Sequence, residues 1–403
     1  MVKTFPVRSI IEAVAGAAAA WCEASFEPRR DAVEAVGART GYSRPVVEYA
    51  FDRLFRPLTR EAIERAIVSE LGSLDVLDGF VARDAHSSVR ALPIGRVCVI
   101  SSRTTIGVAI VPAIFALCAK CEVLVKDRDD RLASAFFATL AQRHPGLGRF
   151  AVARAWPGPS DAVDLGTFDA VVAFGSDDTL ATIAATTPFS IRLIAHPAKI
   201  SAGYIARRYL SSEAAAESIA KNAAHDTLLY DGEGCLSLRV LFVERGAAVS
   251  PARFAAMLRA AVDDTAEAFP AKHCAPAAAR RALAAETATF QTAVAEQIFT
   301  DAQRSFLIHL DSPEDASPLL LPRTLSITSV DAPSDAVSYL KVHRIALEAL
   351  AVAGAEPSLR EAAVELGAAR LATFGSLQAP PLPTPHGGRP RIAEFVRWLV
   401  DEA

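Results

Sequence analysis

From about residue 90 the chain alternates short, nearly unbroken apolar runs with helix-like stretches, and few folds accept that rhythm. Gly95 leads into Val97-Cys98-Val99-Ile100, a helix is expected over Val108 to Ala119, and Glu122-Val123-Leu124-Val125-Lys126 follows. Another helix (Ala133 to Gln142) and a short strand near Phe150 to Ala153 precede Phe168 to Gly175, a strand ending in glycine. Apolar runs without period-two alternation are strands buried on both faces. Strands joined through helices run parallel, with helices on both faces of the sheet. The pattern predicts a doubly wound α/β sheet, whose ligands sit at the C-terminal ends of its strands.

Residues 1 to about 90 read as helical, because Ile10-Ile11, Val14 and Trp21, then Val46-Val47, Ala50-Phe51 and Leu54-Phe55, recur at helical spacing. This region has no metal-spaced His/Cys set and no Gly-rich phosphate loop, and is expected to be a helical platform or lid. A second α/β unit is expected from residue 232, with a strand over Leu236 to Glu244 and another at Leu325 to Thr328. Its helices are expected over Ala252 to Ala268, Pro276 to Glu296 and Val337 to Leu350. A Pro-rich stretch (Gln378 to Pro385) leads into a closing amphipathic helix over Ile392 to Glu402.

With 403 residues, 51% hydrophobic and 22% charged, the chain can bury a large core without disulfide staples. A formal charge of -4 with no long basic run argues against a nucleic-acid binder. The 6 cysteines are scattered, as free thiols of a reducing compartment would be, and a cytoplasmic location is expected. The apolar run Ile106 to Ala119 is interrupted by Pro112 and closed by Lys120, too short for a membrane span. Glu12 breaks what would otherwise resemble an export signal.

Chemistry points first to Asp231-Gly232-Glu233-Gly234-Cys235-Leu236-Ser237. A thiol flanked by glycine just before a strand sits on a tight turn that a substrate can approach closely, and a thiolate is a strong nucleophile. Cys22, Cys98, Cys118 and Cys121 lie in apolar helix or strand contexts and read as structural. Phe174-Gly175-Ser176-Asp177 is a strand end followed by a helix start, where Ser176 or Asp177 can cap and free N–H groups suit a phosphate. The G-x-G-x-x-G fingerprint is missing, which disfavours an ordinary Rossmann dehydrogenase. Lys126 and Arg128, at the end of the second strand, lie where an adenosine ribose would be expected, although Asp127, Asp129 and Asp130 oppose a 2′-phosphate there. No H-E-x-x-H, G-x-S-x-G or Walker loop is present, and no metal is expected.

In their order these pieces resemble the aldehyde dehydrogenase superfamily and, within it, the LuxC-type acyl-CoA reductases. Gly95 to Ile100, Pro112 and Glu122 to Lys126 look like the first nucleotide-binding βαβ unit with its ribose-contacting lysine. Phe174-Gly175-Ser176 looks like the Phe-Gly segment before the nicotinamide-side helix. His196 to Ser201, with Lys199, resembles the Gly-x-Lys-x-Ser segment, and Tyr230 to Ser237 is similar to the Asp-Gln-x-Gly-Cys-Leu-Ser nucleophile motif. His386-Gly387-Gly388 and Phe395-Val396-Arg397-Trp398 resemble the C-terminal His-Asp-Gly and Val-Arg-Trp tail. The chain departs from the pattern at Glu233, near where a Gln is usual, at Ser101-Ser102-Arg103-Thr104-Thr105, where the family places an oxyanion-binding Asn, and at His386-Gly387-Gly388, which lacks the family's aspartate.

The resemblance implies an aldehyde-dehydrogenase-like α/β fold: a doubly wound cofactor domain, an α/β catalytic domain and an N-terminal helical region. Its expected extents are 1–90 for helices packing on the cofactor domain, 91–231 for the NADP-binding domain, 232–370 for the thiol domain and 371–403 for the tail. It implies NADPH-dependent reduction of an acyl-CoA or acyl-carrier-protein thioester to an aldehyde through an acyl-enzyme on Cys235. Lys126, Arg128, Gly175 and Ser176 would bind cofactor, Ser102, Arg103 and Thr104 would form the oxyanion or substrate loop, and Lys199 and His386 would support the site. The water-activating glutamate of hydrolytic relatives corresponds to Ala195, which favours thiol exchange over hydrolysis. Glu233, two residues from the thiol, is expected to raise its pKa. A homo-oligomer and a partner acyl-transferring enzyme are also implied. An acyl-phosphate reductase of the same superfamily and a non-catalytic scaffold stay open as alternatives.

Overall fold

The computed structural model describes residues 2–102, 105–127, 131–156, 164–272, 275–292, 298–311, 318–354 and 356–403. The chain divides into two compact units, one of residues 1–40, 47–198 and 381–403 and the other of 41–46 and 199–380. The division at 198/199 falls upstream of the 231/232 boundary expected from the sequence.

Unit one begins with helices α1 (Val7–Cys22), α2 (Glu27–Thr40), α3 (Arg44–Phe55) and α4 (Arg60–Leu71). Two short strands, β1 (Val81–Ala82) and β2 (Ser88–Pro93), follow, so the expected helical region ends in strand. Then come β3 (Arg96–Ile100), α5 (Ile110–Cys118), β4 (Glu122–Lys126), α6 (Leu132–Arg143), α7 (Pro145–Gly148) and β5 (Ala151–Arg154). β6 (Ala170–Gly175), α8 (Asp177–Thr186) and β7 (Arg192–Pro197) complete a parallel sheet ordered β5-β4-β3-β6-β7. The strand order reverses between β3 and β6, so the ligand crevice of a doubly wound sheet falls beyond Ile100 and Gly175. The N-terminal helices pack firmly here: Trp21 lies against Phe26, Phe51, Phe55 and Phe136, and its Nε1 donates to Thr139 Oγ1 at 3.0 Å.

Unit two contains β8 (Ile200–Ile205), α9 (Glu213–Leu228), β9 (Leu238–Glu244), α10 (Pro251–Ala268), α11 (Ala275–Thr292), β10 (Ile298–Phe299) and β11 (Leu307–Asp311). β12 (Thr324–Val330), α12 (Pro333–Val342), β13 (Leu347–Val352), α13 (Pro357–Glu365) and β14 (Arg370–Thr373) follow. They form a sheet ordered β10-β11-β12-β9-β8-β13-β14, parallel except at β10. All seven residues of β9 are buried, as a central parallel strand requires.

Two expected helices are corrected. The helix over Val337 to Leu350 stops at Val342, Arg344 turns the chain at φ 53, and the fully buried run Leu347–Val352 is a strand. The closing helix is instead β15 (Val396–Asp401), antiparallel to β2 in a small sheet β1-β2-β15 of unit one. A six-residue run rich in Val, Trp and Leu takes the strand state once a partner edge is available. Among the described residues no helix is long and apolar enough to cross a membrane.

Candidate active site

In unit two, α9 ends in a 3₁₀ turn over Leu229–Gly232 where Tyr230, Asp231 and Gly232 take φ values of 56, 53 and 69. Three successive left-handed residues are costly, and glycine at 232 takes its φ of 69 without the strain a side chain would add, while a Cβ there would also crowd Thr227 O at 3.1 Å. Buried partners hold the turn in place. Arg323, 1% exposed, donates from Nη1 to Asp231 Oδ1 at 3.0 Å, and its backbone N donates to Asp231 O at 2.7 Å. Lys272 N donates to Asp231 Oδ2 at 3.2 Å, and Tyr42 Oη donates to Tyr230 O at 3.1 Å. Arg239 donates to Gly232 O and, at 2.8 Å, to Leu321 O.

Cys235 follows this braced turn and precedes β9. Ser201, fully buried on β8, donates from Oγ to Cys235 O at 2.9 Å. Ser237 N closes a turn onto Gly234 O at 3.0 Å, and Gln378 Nε2 holds Ser237 Oγ at 3.0 Å. Although the residue is only partly buried, the protein around its sulfur pushes the thiol up to about 12. Burial is the main cause and the Glu348 carboxylate adds to it. The backbone N–H groups of Cys235 and Leu236 and the Lys199 ammonium push the other way. The charge that opposes the thiolate is therefore Glu348, not Glu233 as expected: Glu233 is turned onto Lys272.

Sequence spacing could not reveal Glu348 or Arg370, because strand pairing brings them in from β13 and β14. Lys199 Nζ lies 3.8 Å from Glu348 Oε2. Arg370 feels Asp226, Glu348 and Cys235, while burial lowers the pKa of its guanidinium. The expected supporting residue Lys199 thus belongs to the thiol cluster. Cys98 and Cys118 are buried in unit one, where burial pushes both thiols up to about 12, as structural cysteines.

Of the expected cofactor residues, Lys126, Gly175 and Ser176 lie at the carboxyl edge of the unit-one sheet. Ser176 caps α8, its Oγ accepting from Thr179 N at 3.4 Å, and Gly175 ends β6 beside it. Lys126 ends β4 with its ammonium 5.2 Å from the Trp156 ring centroid, and it pairs across to Arg154 on β5. His386 stacks on His196, with centroids 4.6 Å apart, and His196 stacks on Phe174 at 4.6 Å. Ser102 follows β3 and is half-buried, with Ser101 Oγ donating to its carbonyl at 3.3 Å. Arg103, Thr104 and Arg128, like Asp129, Asp130 and Cys274, lie outside the described residues.

A family profile described as acyl-CoA reductase (LuxC) matches residues 2–398. No curated protein matches. Among solved structures, an NAD-dependent benzaldehyde dehydrogenase from Corynebacterium glutamicum is similar at a TM-score of 0.72 and 15% identity, over 100% of this chain and 86% of that one. Aldehyde dehydrogenase 21 from Physcomitrella patens, solved with succinate, is similar at 0.71 and 12% identity, over 100% and 86%. At these identities the likeness shows an aldehyde-dehydrogenase-like α/β fold.

Proposed function

The chain belongs to the acyl-CoA reductase (LuxC) family, and from that premise we propose that it reduces an acyl thioester to an aldehyde with NADPH, through an acyl-enzyme on Cys235. Membership makes it an aldehyde-forming oxidoreductase, and family and fold together imply a nicotinamide cofactor.

The observation that carries the thiol chemistry is the placement of Cys235. A strained turn is braced by buried charges, a buried serine holds the cysteine carbonyl, and the backbone N–H groups of Cys235 and Leu236 act on the sulfur. Donors fixed in this way stabilise negative charge as it builds on sulfur and on the attacked carbonyl oxygen. The sulfur bonds to the acyl carbon, the carbonyl oxygen takes up charge, and the departing thiolate is released. By the resemblance, Ala195 on β7 stands at the position where hydrolytic relatives carry a water-activating glutamate, and the loss of that base favours thiol exchange over hydrolysis.

The residues of unit one fit a dinucleotide. The Ser176-capped start of α8 and the close of β3 face the crevice where such sheets bind it, and Lys126 with Arg154 places two cations at its edge. Asp127 does not compete for a ribose hydroxyl, because its carboxylate accepts from Ala133 N at 3.3 Å and Ser134 N at 2.8 Å. That arrangement favours a 2′-phosphate and hence NADPH. When bound, the reduced nicotinamide supplies the hydride that converts the acyl group to aldehyde.

Intact-mass measurement after mixing with acyl-CoA, without reductant, tests the reading. One acyl group should appear on the Cys235 peptide, and Cys235→Ser should gain none. An adduct on another cysteine, or full reductase activity in Cys235→Ala, overturns it.

A further inference from the structure

A thiol pushed up to about 12 is protonated near neutrality, and a protonated thiol is a poor nucleophile, so something must take the proton as it attacks. The cluster around Cys235 contains one carboxylate built into the sheet itself. Along β13 and β8 the pairing runs Leu347 to Ile200 and then Ala349 to Ser201, so Glu348 is the extra residue of a β-bulge. Bulges re-aim side chains and are enriched beside active sites. The bulge lies beside Ser201, whose hydroxyl holds the Cys235 carbonyl. Glu348 is 8% exposed, on a strand whose other residues are all buried and apolar, where a carboxylate needs a reason to be.

We propose that Glu348 takes the Cys235 proton as the sulfur bonds to the acyl carbon, and returns it to the departing thiol. The S–H bond breaks as the new S–C bond forms and the carboxylate becomes a carboxylic acid; as the old C–S bond breaks, that acid protonates the departing sulfur, which leaves as a thiol, and the carboxylate is restored. Lys199 Nζ lies 3.8 Å from Glu348 Oε2, so the carboxylate sits beside a cation within the cluster. Arg370 is the further charge acting on both Glu348 and the thiol. The carboxylate that opposes the thiolate is then also the group that relieves it, because taking up the proton removes its charge as the sulfur attacks. The acyl donor's identity rests on the thioester reading, but the proton transfer does not.

The test uses alkylation of Cys235 by iodoacetamide, followed by peptide mass from mildly acidic to alkaline pH, with no thioester or cofactor present. Wild-type protein should show a level rate through neutral pH. Glu348→Gln should lose about 100-fold at neutral pH and recover as the solution becomes alkaline. Glu348→Asp should fall between the two at neutral pH and match wild type at the alkaline limit. Were Glu348 only a repelling charge, Glu348→Gln would react as fast as wild type or faster, and that result overturns the proposal. If Glu348→Gln does not fold, an unchanged neutral rate in Glu348→Asp overturns it instead. Absence of an acyl adduct in wild type, with the alkylation pattern intact, would fault the thioester reading and leave Glu348 as the proton acceptor.

Discussion

Lys126 and Arg154 end neighbouring parallel strands in register, so their side chains leave the same face of the sheet. A phosphate bound between them makes charge-assisted hydrogen bonds worth about 1.5–3 kcal/mol each, and 1.4 kcal/mol is about tenfold in affinity. Lys126→Ala should therefore weaken NADPH by about tenfold while changing NADH affinity far less, as read by fluorescence titration of each cofactor. Equal weakening of both would remove the 2′-phosphate from the reading. The sequence placed Lys126 correctly at a strand end, but Arg154 became visible only through pairing of β4 with β5. The two glutamates near Cys235 make the same point. Glu233 is close along the chain and is drawn off by Lys272, whereas Glu348, distant along the chain, acts on the thiol.

The nucleophile turn is an element whose shape depends on an internal charge pair. Asp231 and Arg323 are both nearly inaccessible, and Arg323 Nε and Nη2 have no hydrogen-bond partner, so the carboxylate is the main compensation for the buried guanidinium. Asparagine tolerates a left-handed backbone and matches aspartate in shape, so Asp231→Asn isolates the charge. It should cost about 3–5 kcal/mol, read as a lower denaturant midpoint, and should slow acylation of Cys235 by loosening its turn. A loss under about 1 kcal/mol would show that the turn holds without the pair. The strands β3, β4, β6 and β9 were legible because each is an apolar run bounded by glycine or charge. β13 was hidden because helix α12 runs almost directly into it, with only a left-handed Arg344 as punctuation. β15 was hidden because Ile392, Phe395, Val396 and Leu399 imitate helical spacing, and only the distant β2 decides their state. The Gly-Cys turn was readable from its glycines, while the arginines that brace it were not, since buried cations follow no local pattern.

At the scale of the whole chain, unit one is discontinuous: residues 199–380 are inserted between β7 and the tail that returns to it. That return is anchored by Glu70 on α4, whose carboxylate accepts from the backbone N–H groups of Arg391 at 2.6 Å, Ile392 at 2.8 Å and Ala393 at 3.0 Å. Ile392, Phe395 and Val396 are buried beyond that anchor, and β15 covers an edge of β2. Burying each large apolar side chain is worth about 1.5–3 kcal/mol, so the tail contributes about 5 kcal/mol or more to unit one. It also carries His386 onto His196 and Phe174, so the returning tail packs at the ends of β6 and β7. A chain ending at residue 380 should lose hydrogen-exchange protection in β2 and α4 and weaken NADPH binding. β8, β9 and β13 should keep their protection, because every strand they pair with lies within 199–380. Equal loss of protection in both sheets would show that the tail stabilises the whole chain and not unit one alone.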